Sequence, residues 1–210
     1  MKTTRALCAA ITCFVALTSP ALAEVVYTPV NMRINVYGGQ YNLDFNHDGV
    51  TDLVLGSQIL DVYCQHGDGK YWKVTVTPAA DGGVAGLPIV LGQFASALPQ
   101  GVPVSSTQLF YRDYALLSEF DWGNCGSGSY GMWLNHPDRY LGLQFQILNH
   151  GLPELHYGWV KLTEVGYLDQ YDQLQAAIFL QGFAYETVAG QAILTGATSG
   201  PIGPGHALRH

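Results

Sequence analysis

The fold class is decided by the stretch Leu141-Gly142-Leu143-Gln144-Phe145-Gln146-Ile147, in which apolar residues alternate with glycine or glutamine. Successive side chains of a strand point to opposite faces, so the four apolar residues share one face. We expect that face to lie on a core and the glycine and glutamine face to lie in water. A turn at 149–153 and a second apolar stretch at 156–162 follow directly, which predicts a β-hairpin.

Short stretches of the same kind recur on both sides of this hairpin, separated by Gly, Pro, Asn and Asp. This spacing predicts an all-β protein, a single-domain antiparallel β-sandwich with long Gly-rich loops; a β-barrel is the alternative. We expect loops at 79–101 and 121–131, a helical turn at 114–120 and a bulge at Gly182. The other predicted strands are 25–28, 32–37, 41–45, 52–55, 59–64, 71–77, 108–111, 175–180, 179–185 and 192–195.

Residues 1–23 have the three parts of a secretory signal peptide. Lys2 and Arg5 form a basic start, an apolar stretch follows at 6–17, and small residues precede Glu24. A membrane-spanning helix needs roughly twenty apolar residues, so we expect cleavage and export without membrane insertion, to the extracellular space or the periplasm. We expect a folded domain over residues 24–196 and a disordered tail over 197–210.

The charge of the chain limits the classes of partner that we expect, and its cysteine content bears on the cellular compartment. The 210-residue chain has a formal net charge of -7, and loss of residues 1–23, with two basic residues and no acidic residue, takes it to -9. Nucleic acids attract clustered Lys and Arg, so we expect no nucleic-acid binding. Cys64 and Cys125 are the two cysteines beyond residue 23. In an oxidising compartment they predict a disulfide, with two separate thiols as the alternative.

The stretch Asp44-Phe45-Asn46-His47-Asp48-Gly49-Val50-Thr51-Asp52 predicts a calcium loop. Calcium takes about six to eight oxygen ligands, and glycine at loop position 6 permits the sharp reversal that such a loop needs. Leu55 stands where a helix-loop-helix site has a bidentate glutamate, so we expect a structural ion between two strands. A metal-free turn is the alternative. The predicted ligands are the side chains of Asp44, Asn46, Asp48 and Asp52 and the carbonyl of Val50.

The sequence assigns no catalytic residue and no cofactor-binding residue, because it has no HExxH, GxSxG or phosphate-binding glycine motif. Glu119 and Asp121 would share one face of a strand, which is the equipment of a glycoside hydrolase, although such spacing is common by chance. The histidines are scattered, and we expect surface or turn positions for His66, His136, His150 and His156.

Aromatic side chains flank the second glycine-rich loop at Trp122, Tyr130 and Trp133. We expect them to be core residues of the sandwich, because aromatic side chains bury large apolar areas. An exposed platform that stacks on sugar rings is the alternative.

Three motifs of the second half stand in a fixed order: Tyr140-Leu141-Gly142-Leu143-Gln144-Phe145, then residues 156–162, then Gly182-Phe183-Ala184-Tyr185-Glu186-Thr187. Together with the Asp-rich loop they resemble a group of secreted bacterial proteins of unassigned function. The resemblance implies export and a β fold. For the whole chain we expect a secreted, calcium-stabilised, non-enzymatic module with a surface, matrix or ligand-binding role, for which a glycan or another surface protein is a candidate partner. A polysaccharide hydrolase and a self-assembling structural subunit are the alternatives.

Overall fold

The chain folds as an antiparallel β-sandwich, as predicted. The computed structural model describes residues 23–35, 37–79, 81–87, 92–171 and 173–199. The predicted signal peptide up to residue 22 and the predicted tail from residue 200 lie outside the described residues. The strands are β1 Val25–Ile34, β2 Gln40–Leu43, β3 Leu53–Cys64, β4 Gly67–Pro78, β5 Gly83–Ala85, β6 Pro103–Val104, β7 Phe110–Tyr111, β8 Ala115–Gly123, β9 Gly128–Gly131, β10 Arg139–Asn149, β11 Leu152–Leu168, β12 Leu174–Glu186 and β13 Ile193–Leu194.

Two sheets form the sandwich, and a short ribbon lies outside it. The six-stranded sheet has the order β1-β12-β11-β10-β5-β7, and the five-stranded sheet has the order β2-β3-β4-β8-β9. Strands β6 and β13 pair with each other as the ribbon. All these pairs are antiparallel. The described residues contain no helix, and so none that is long and apolar enough to cross a membrane.

The predicted hairpin is confirmed by strands β10 and β11, which pair from Arg139 with Leu162 to Asn149 with Leu152. The two turn residues, His150 and Gly151, both have positive φ, as a tight two-residue hairpin requires. The apolar face of β10 lies in the core between the sheets, as expected.

The prediction that the other face of β10 lies in water is wrong. Gly142 and Gln144 are buried, because loops and the ribbon cover this side of the sheet. A Cβ on Gly142 would meet the side chains of Leu98 and Val104 at 3.1 and 3.2 Å. Glycine therefore permits the close approach of these covering segments.

Several predicted elements change in the structure. The predicted strand at 25–28 and the first part of that at 32–37 form one strand, β1, which ends at Ile34 and has a register shift between Pro29 and Met32. The expected helical turn at 114–120 is wrong, because Ala115–Gly123 form the internal strand β8. The predicted loops at 79–101 and 121–131 include β5 and β9 respectively. A register shift in the pairing of β11 with β12 confirms the irregularity expected near Gly182.

Cys64 and Cys125 form the predicted disulfide, with Cα atoms 5.6 Å apart. Cys64 ends β3 at the tip of the β3–β4 hairpin, and Cys125 lies in the connection between β8 and β9. The bond therefore ties two connections of the five-stranded sheet together at one end. Structural disulfides are typical of oxidising compartments.

One acidic side chain lies in the interior between the two sheets. Glu164 of β11 is fully buried, and its Oε1 accepts a hydrogen bond from the Ser118 hydroxyl of β8. Its Oε2 has no hydrogen-bond partner among the described residues. Burial raises the pKa of Glu164 to about 8, because the charged carboxylate loses its water.

Candidate functional site

The Asp-rich loop 44–52 joins β2 to β3 and closes one end of the sandwich. Its second residue, Phe45, is 1% exposed and inserts into the core. The Phe45 ring lies 5.1 Å from that of Phe145 and 5.2 Å from that of Phe183. These two rings belong to the six-stranded sheet, so the loop connects the two layers.

Hydrogen bonds from backbone amides to side-chain oxygens hold the loop. The Asp44 carboxylate accepts from the amides of Asp48 and Gly49 at 3.2 and 2.8 Å. The Asp48 carboxylate accepts from the amide of Val50 at 2.8 Å and from the side-chain amide of Asn46 at 2.9 Å. These are Asx-type hydrogen bonds, which stabilise a chain reversal without a bound metal ion.

Asp52 is the predicted ligand that lies deepest, with 8% of its surface exposed. Its carboxylate accepts a 2.7 Å hydrogen bond from the amide of Phe45, which fixes the start of the loop. Burial raises the pKa of Asp52 to about 6; the Phe45 hydrogen bond opposes this shift, and the charges of Asp48 and Asp44 add to it. Asp52 thus has a structural role in closing the loop.

Across the described residues, no three His, Cys, Asp or Glu side chains form a group that could hold a metal ion. The oxygens of Asp44, Asn46 and Asp48 all lie on one loop, as the sequence predicts, but they are turned to its amides. Calcium therefore stays a prediction that rests on the type and spacing of the donors.

A second feature lies on the outer face of the five-stranded sheet. Four residues there stand in register across four strands: Gln58 of β3 pairs with Lys73 of β4, Lys73 with Glu119 of β8, and Glu119 with Tyr130 of β9. We call Gln58, Lys73, Glu119 and Tyr130 the transverse row. With neighbouring strands about 4.8 Å apart, the row spans about 14 Å.

The transverse row lies in a groove with a volume of about 960 Å³. This volume is at the upper end of the range found for small-molecule sites. Tyr114 and Met132 line the groove with Tyr130 and are 53%, 49% and 55% exposed respectively. Phe94, from the segment that runs beside the start of β8, contributes a half-buried ring.

The charges of the groove are balanced. Among its described lining residues only Lys73 and Glu119 are charged, and the Lys73 ammonium lies 2.8 Å from the Glu119 carboxylate. The same ammonium lies 5.4 Å from the centre of the Tyr71 ring. Lys73 is thus held between an anion and an aromatic face, and the floor of the groove carries no net charge.

Asp121 lies two residues beyond Glu119 on the same face of β8. Burial, the charge of Glu119 and a hydrogen bond to Glu119 raise the pKa of Asp121, whereas Lys73 opposes the shift. The described residues donate no hydrogen bond to its buried Oδ1. The two carboxyl groups therefore lie in contact on this face of the sheet.

Gly131 sets the position of the edge of the groove. It ends β9 with φ of 97°, and a Cβ at this position would clash with the carbonyl oxygen of Leu117. Only glycine permits both the positive φ and this close approach. The tight ending places Tyr130 and Met132, on either side of Gly131, at the groove.

The structure separates the aromatic residues that the sequence grouped together. Trp122 and Trp133 are buried core residues, as expected, and the Trp133 indole donates to the carbonyl of Ala95 at 3.2 Å. Tyr130 alone of the three is exposed, so its expected core position is wrong. The surface position expected for His156 is also wrong, because it is 2% exposed and its Nδ1 is bonded to the Glu186 carbonyl.

Sequence reasoning missed the groove because its residues come from separate parts of the chain. The polar alternation of Lys73 and Thr75 on β4 is the signal that marks the outer face. No protein-family model matches this chain, and neither a curated protein nor a solved structure shows significant similarity to it. The resemblance inferred from the sequence motifs therefore stays a prediction.

Proposed function

We propose that this protein is an exported, calcium-stabilised β-sandwich that binds a ligand in the groove of the five-stranded sheet and does not transform it. The observation that supports ligand binding most directly is the transverse row. It combines an exposed ring at Tyr130 with the charge-balanced pair Lys73–Glu119 on a sheet face that the described residues leave open. Concave sites that join aromatic surface to a few fixed polar groups are typical of binding sites.

Ligand binding is tested by nuclear magnetic resonance on the isotope-labelled mature protein. Mixtures of monosaccharides, dipeptides and short fatty acids are added, and the backbone amide signals are followed. We expect at least one class to shift the signals of the transverse row. Tyr130→Ala should reduce those shifts, whereas Tyr167→Ala should not, because Tyr167 is a tyrosine of similar exposure on the other sheet. Absence of shifts in the row with all three classes and with neutral hexaoses contradicts the proposal.

Export is supported by the order of basic, apolar and small residues in 1–23 and by the disulfide. Expression of the full chain should give a mature protein that begins at Glu24. Ala23→Asp should block this processing, because signal peptidases need small neutral residues at the cleavage site. Mass spectrometry of the secreted and periplasmic fractions measures both. An unprocessed chain that stays in the cytoplasm contradicts the proposal.

Calcium is supported by the five donors of the loop, and three carboxylates so close together repel each other unless a cation or a proton intervenes. At calcium concentrations about a hundredfold above Kd we expect the melting temperature to rise by about 5–10 °C. EGTA should reverse the rise and Asp48→Ala should abolish it. Asp113→Ala, at an exposed aspartate outside the loop, is the control. An unchanged melting temperature in wild type contradicts the calcium proposal.

A hydrolase is the second candidate, and the contact between Glu119 and Asp121 favours it. Two carboxyl groups in contact, one of them with a raised pKa, are groups of the kind that general acid–base catalysis uses. Glycosidases, however, hold their two carboxyl groups about 5–5.5 Å or about 6.5–9.5 Å apart, on either side of the bond that is cleaved. Here the two groups bond to each other, and Lys73 also engages Glu119. This arrangement favours binding over catalysis.

The two candidates are separated by a turnover assay on a panel of polysaccharides. Binding without product release is expected for the wild-type protein. Turnover that is abolished by Asp121→Asn, with the fold intact by circular dichroism, establishes the hydrolase and contradicts the leading proposal. Lys70→Gln is a matched control, because Lys70 lies outside the groove and forms an exposed ion pair with Asp61.

A further inference from the structure

We infer that the ligand of the groove is a linear, uncharged oligosaccharide that lies along the transverse row, across the strands of the five-stranded sheet. This inference rests on the proposed function, because it names the class of ligand for the same groove.

The charge of the groove selects an uncharged ligand. Lys73 and Glu119 neutralise each other at 2.8 Å, and they are half-buried, with side-chain exposures of 30% and 18%. A ligand with a net charge would have to break this pair or lie against one member of like charge, which costs free energy in a partly desolvated site. The strong net negative charge of the whole chain also disfavours acidic polymers.

The surface of the groove matches the two kinds of surface on a sugar ring. A pyranose has an apolar face of C–H groups and a rim of hydroxyl groups that both donate and accept hydrogen bonds. Tyr114 and Tyr130 offer exposed rings for the apolar face. Gln58 supplies an amide with both donors and an acceptor, and the Lys73–Glu119 pair supplies a donor beside an acceptor, which suits neighbouring hydroxyl groups.

The spacing of the row matches a chain of such rings. The row places one side chain on each of β3, β4, β8 and β9, about 4.8 Å apart. A sugar ring in an extended chain advances by a similar distance, so each strand would meet one ring. An extended peptide would instead pair with the edge of a sheet through its backbone, whereas the row crosses the face of the sheet, and three of its four strands, β3, β4 and β8, are internal.

A lipid ligand fits this site less well. Acyl chains are bound in enclosed apolar cavities, because exposed apolar surface is unfavourable in water. The sheet face under this groove carries an ion pair and two further polar side chains, Gln58 and Thr75, beside the apolar Leu116. An acyl chain would have to desolvate these groups without offering them hydrogen bonds.

The test uses isothermal titration of the mature protein with cellohexaose, mannohexaose and chitohexaose, and with hexagalacturonate as the acidic comparison. We expect at least one neutral hexaose to bind with Kd below about 1 mM and more tightly than hexagalacturonate. Tyr130→Ala should weaken that binding about tenfold or more, and Gln58→Ala about fivefold. Tyr167→Ala should stay within about twofold of wild type, since its ring lies on the other sheet.

Different experimental outcomes would reject the ligand class inferred here and the proposed function. If no neutral hexaose binds while dipeptides or fatty acids shift the amide signals of the row, the oligosaccharide is wrong and ligand binding stands. Tighter binding of hexagalacturonate overturns the uncharged class. If Tyr130→Ala and Tyr167→Ala lose affinity for the hexaose equally, and circular dichroism shows both variants folded, the ligand does not lie along the transverse row. If nothing shifts the row, both proposals are wrong.

Discussion

The two outer faces of the sandwich both carry aromatic residues, but in opposite environments. On the six-stranded sheet, Tyr157 and Trp159 are each 2% exposed beneath the ribbon of β6 and β13. On the five-stranded sheet, Tyr114 and Tyr130 are each more than half exposed. The difference teaches that covering segments decide whether an aromatic residue outside the main core stabilises the fold or is left available for a ligand.

The covering of the six-stranded sheet has a physical basis in its small residues. Gly142 and Ala184 lie beside the large rings, so that the ribbon and Leu98 can approach the sheet closely. Hydrogen bonds of Thr195 with Pro99 and Val102, at 2.7 and 2.9 Å, hold the ribbon in place. The groove has no counterpart of this second core among the described residues.

The largest expected effect is that of Trp159→Ala, which removes the centre of the covered face. Trp159 contacts Tyr27 and Tyr140, with ring centres 5.8 and 5.2 Å apart. We expect the free energy of unfolding to fall by about 3–5 kcal/mol, because a large cavity forms under the ribbon. Chemical denaturation measures it. A loss below about 1 kcal/mol would show that the covered face is not a second core and would break the comparison.

The disulfide is expected to stabilise the open sheet by a smaller amount. Cys64 and Cys125 are 61 residues apart, and their joint replacement by alanine should lower the free energy of unfolding by about 2–4 kcal/mol. Thermal unfolding with and without reductant checks it: reductant should lower the melting temperature of the wild type to that of the double variant and leave the variant unchanged. Equal stability of the two proteins under oxidising conditions contradicts the prediction.

The stability of the protein should depend on pH through Glu164, which lies in the interior between the two sheets. Its folded-state pKa is about 8 against an ordinary value of 4.5, so between these values the folded protein holds a proton that the unfolded chain has lost. The free energy of unfolding should therefore fall as pH rises from about 4.5 to about 8, by up to about 1 kcal/mol per pH unit. Glu164→Gln should flatten this dependence. The same slope in wild type and variant would contradict it.

The smallest expected effect is that of Tyr130→Ala on stability. Tyr130 and its match Tyr167 are 55% and 57% exposed, so either alanine variant should change the free energy of unfolding by no more than about 0.5 kcal/mol. Urea denaturation of both variants measures it. A large fall in the free energy of unfolding of Tyr130→Ala would mean that this ring stabilises the fold. The contrast between the two faces would then be weaker.

The sequence predicted the elements whose alternation is regular and missed those where it is broken. Strands β10 and β11 keep their inward apolar residues in period two, and the turn at His150 and Gly151 matches a tight hairpin. Strand β8 looked helical because Leu117 is an extra residue in its pairing with β4, and both Leu117 and Ser118 are buried. A bulge on an internal strand hides the period that identifies a strand.

The two candidate sites also differ in how far the sequence predicts them, because one is a contiguous motif and the other is assembled from distant residues. The Asp-rich loop is a contiguous motif, so its candidate calcium ligands can be predicted from spacing, whereas the core position of Phe45 depends on rings from β10 and β12. The transverse row is formed by four residues from four strands and exists only in the assembled sheet. Tyr130 was noted among the flanking aromatics, but sequence alone did not separate it from the buried Trp133.

The pairing of β1 with β12 has a consequence for the order in which the chain folds. Val25 pairs with Glu186, so strands from opposite ends of the described domain lie side by side, whereas β3–β4 and β10–β11 are local hairpins. Contacts between distant residues form late, because long loops must close first. Strand β1 thus stays unpaired until β12, the twelfth of the thirteen described strands, follows. Pro29 within β1 lacks an amide donor, which lowers the risk that this waiting strand pairs with another copy.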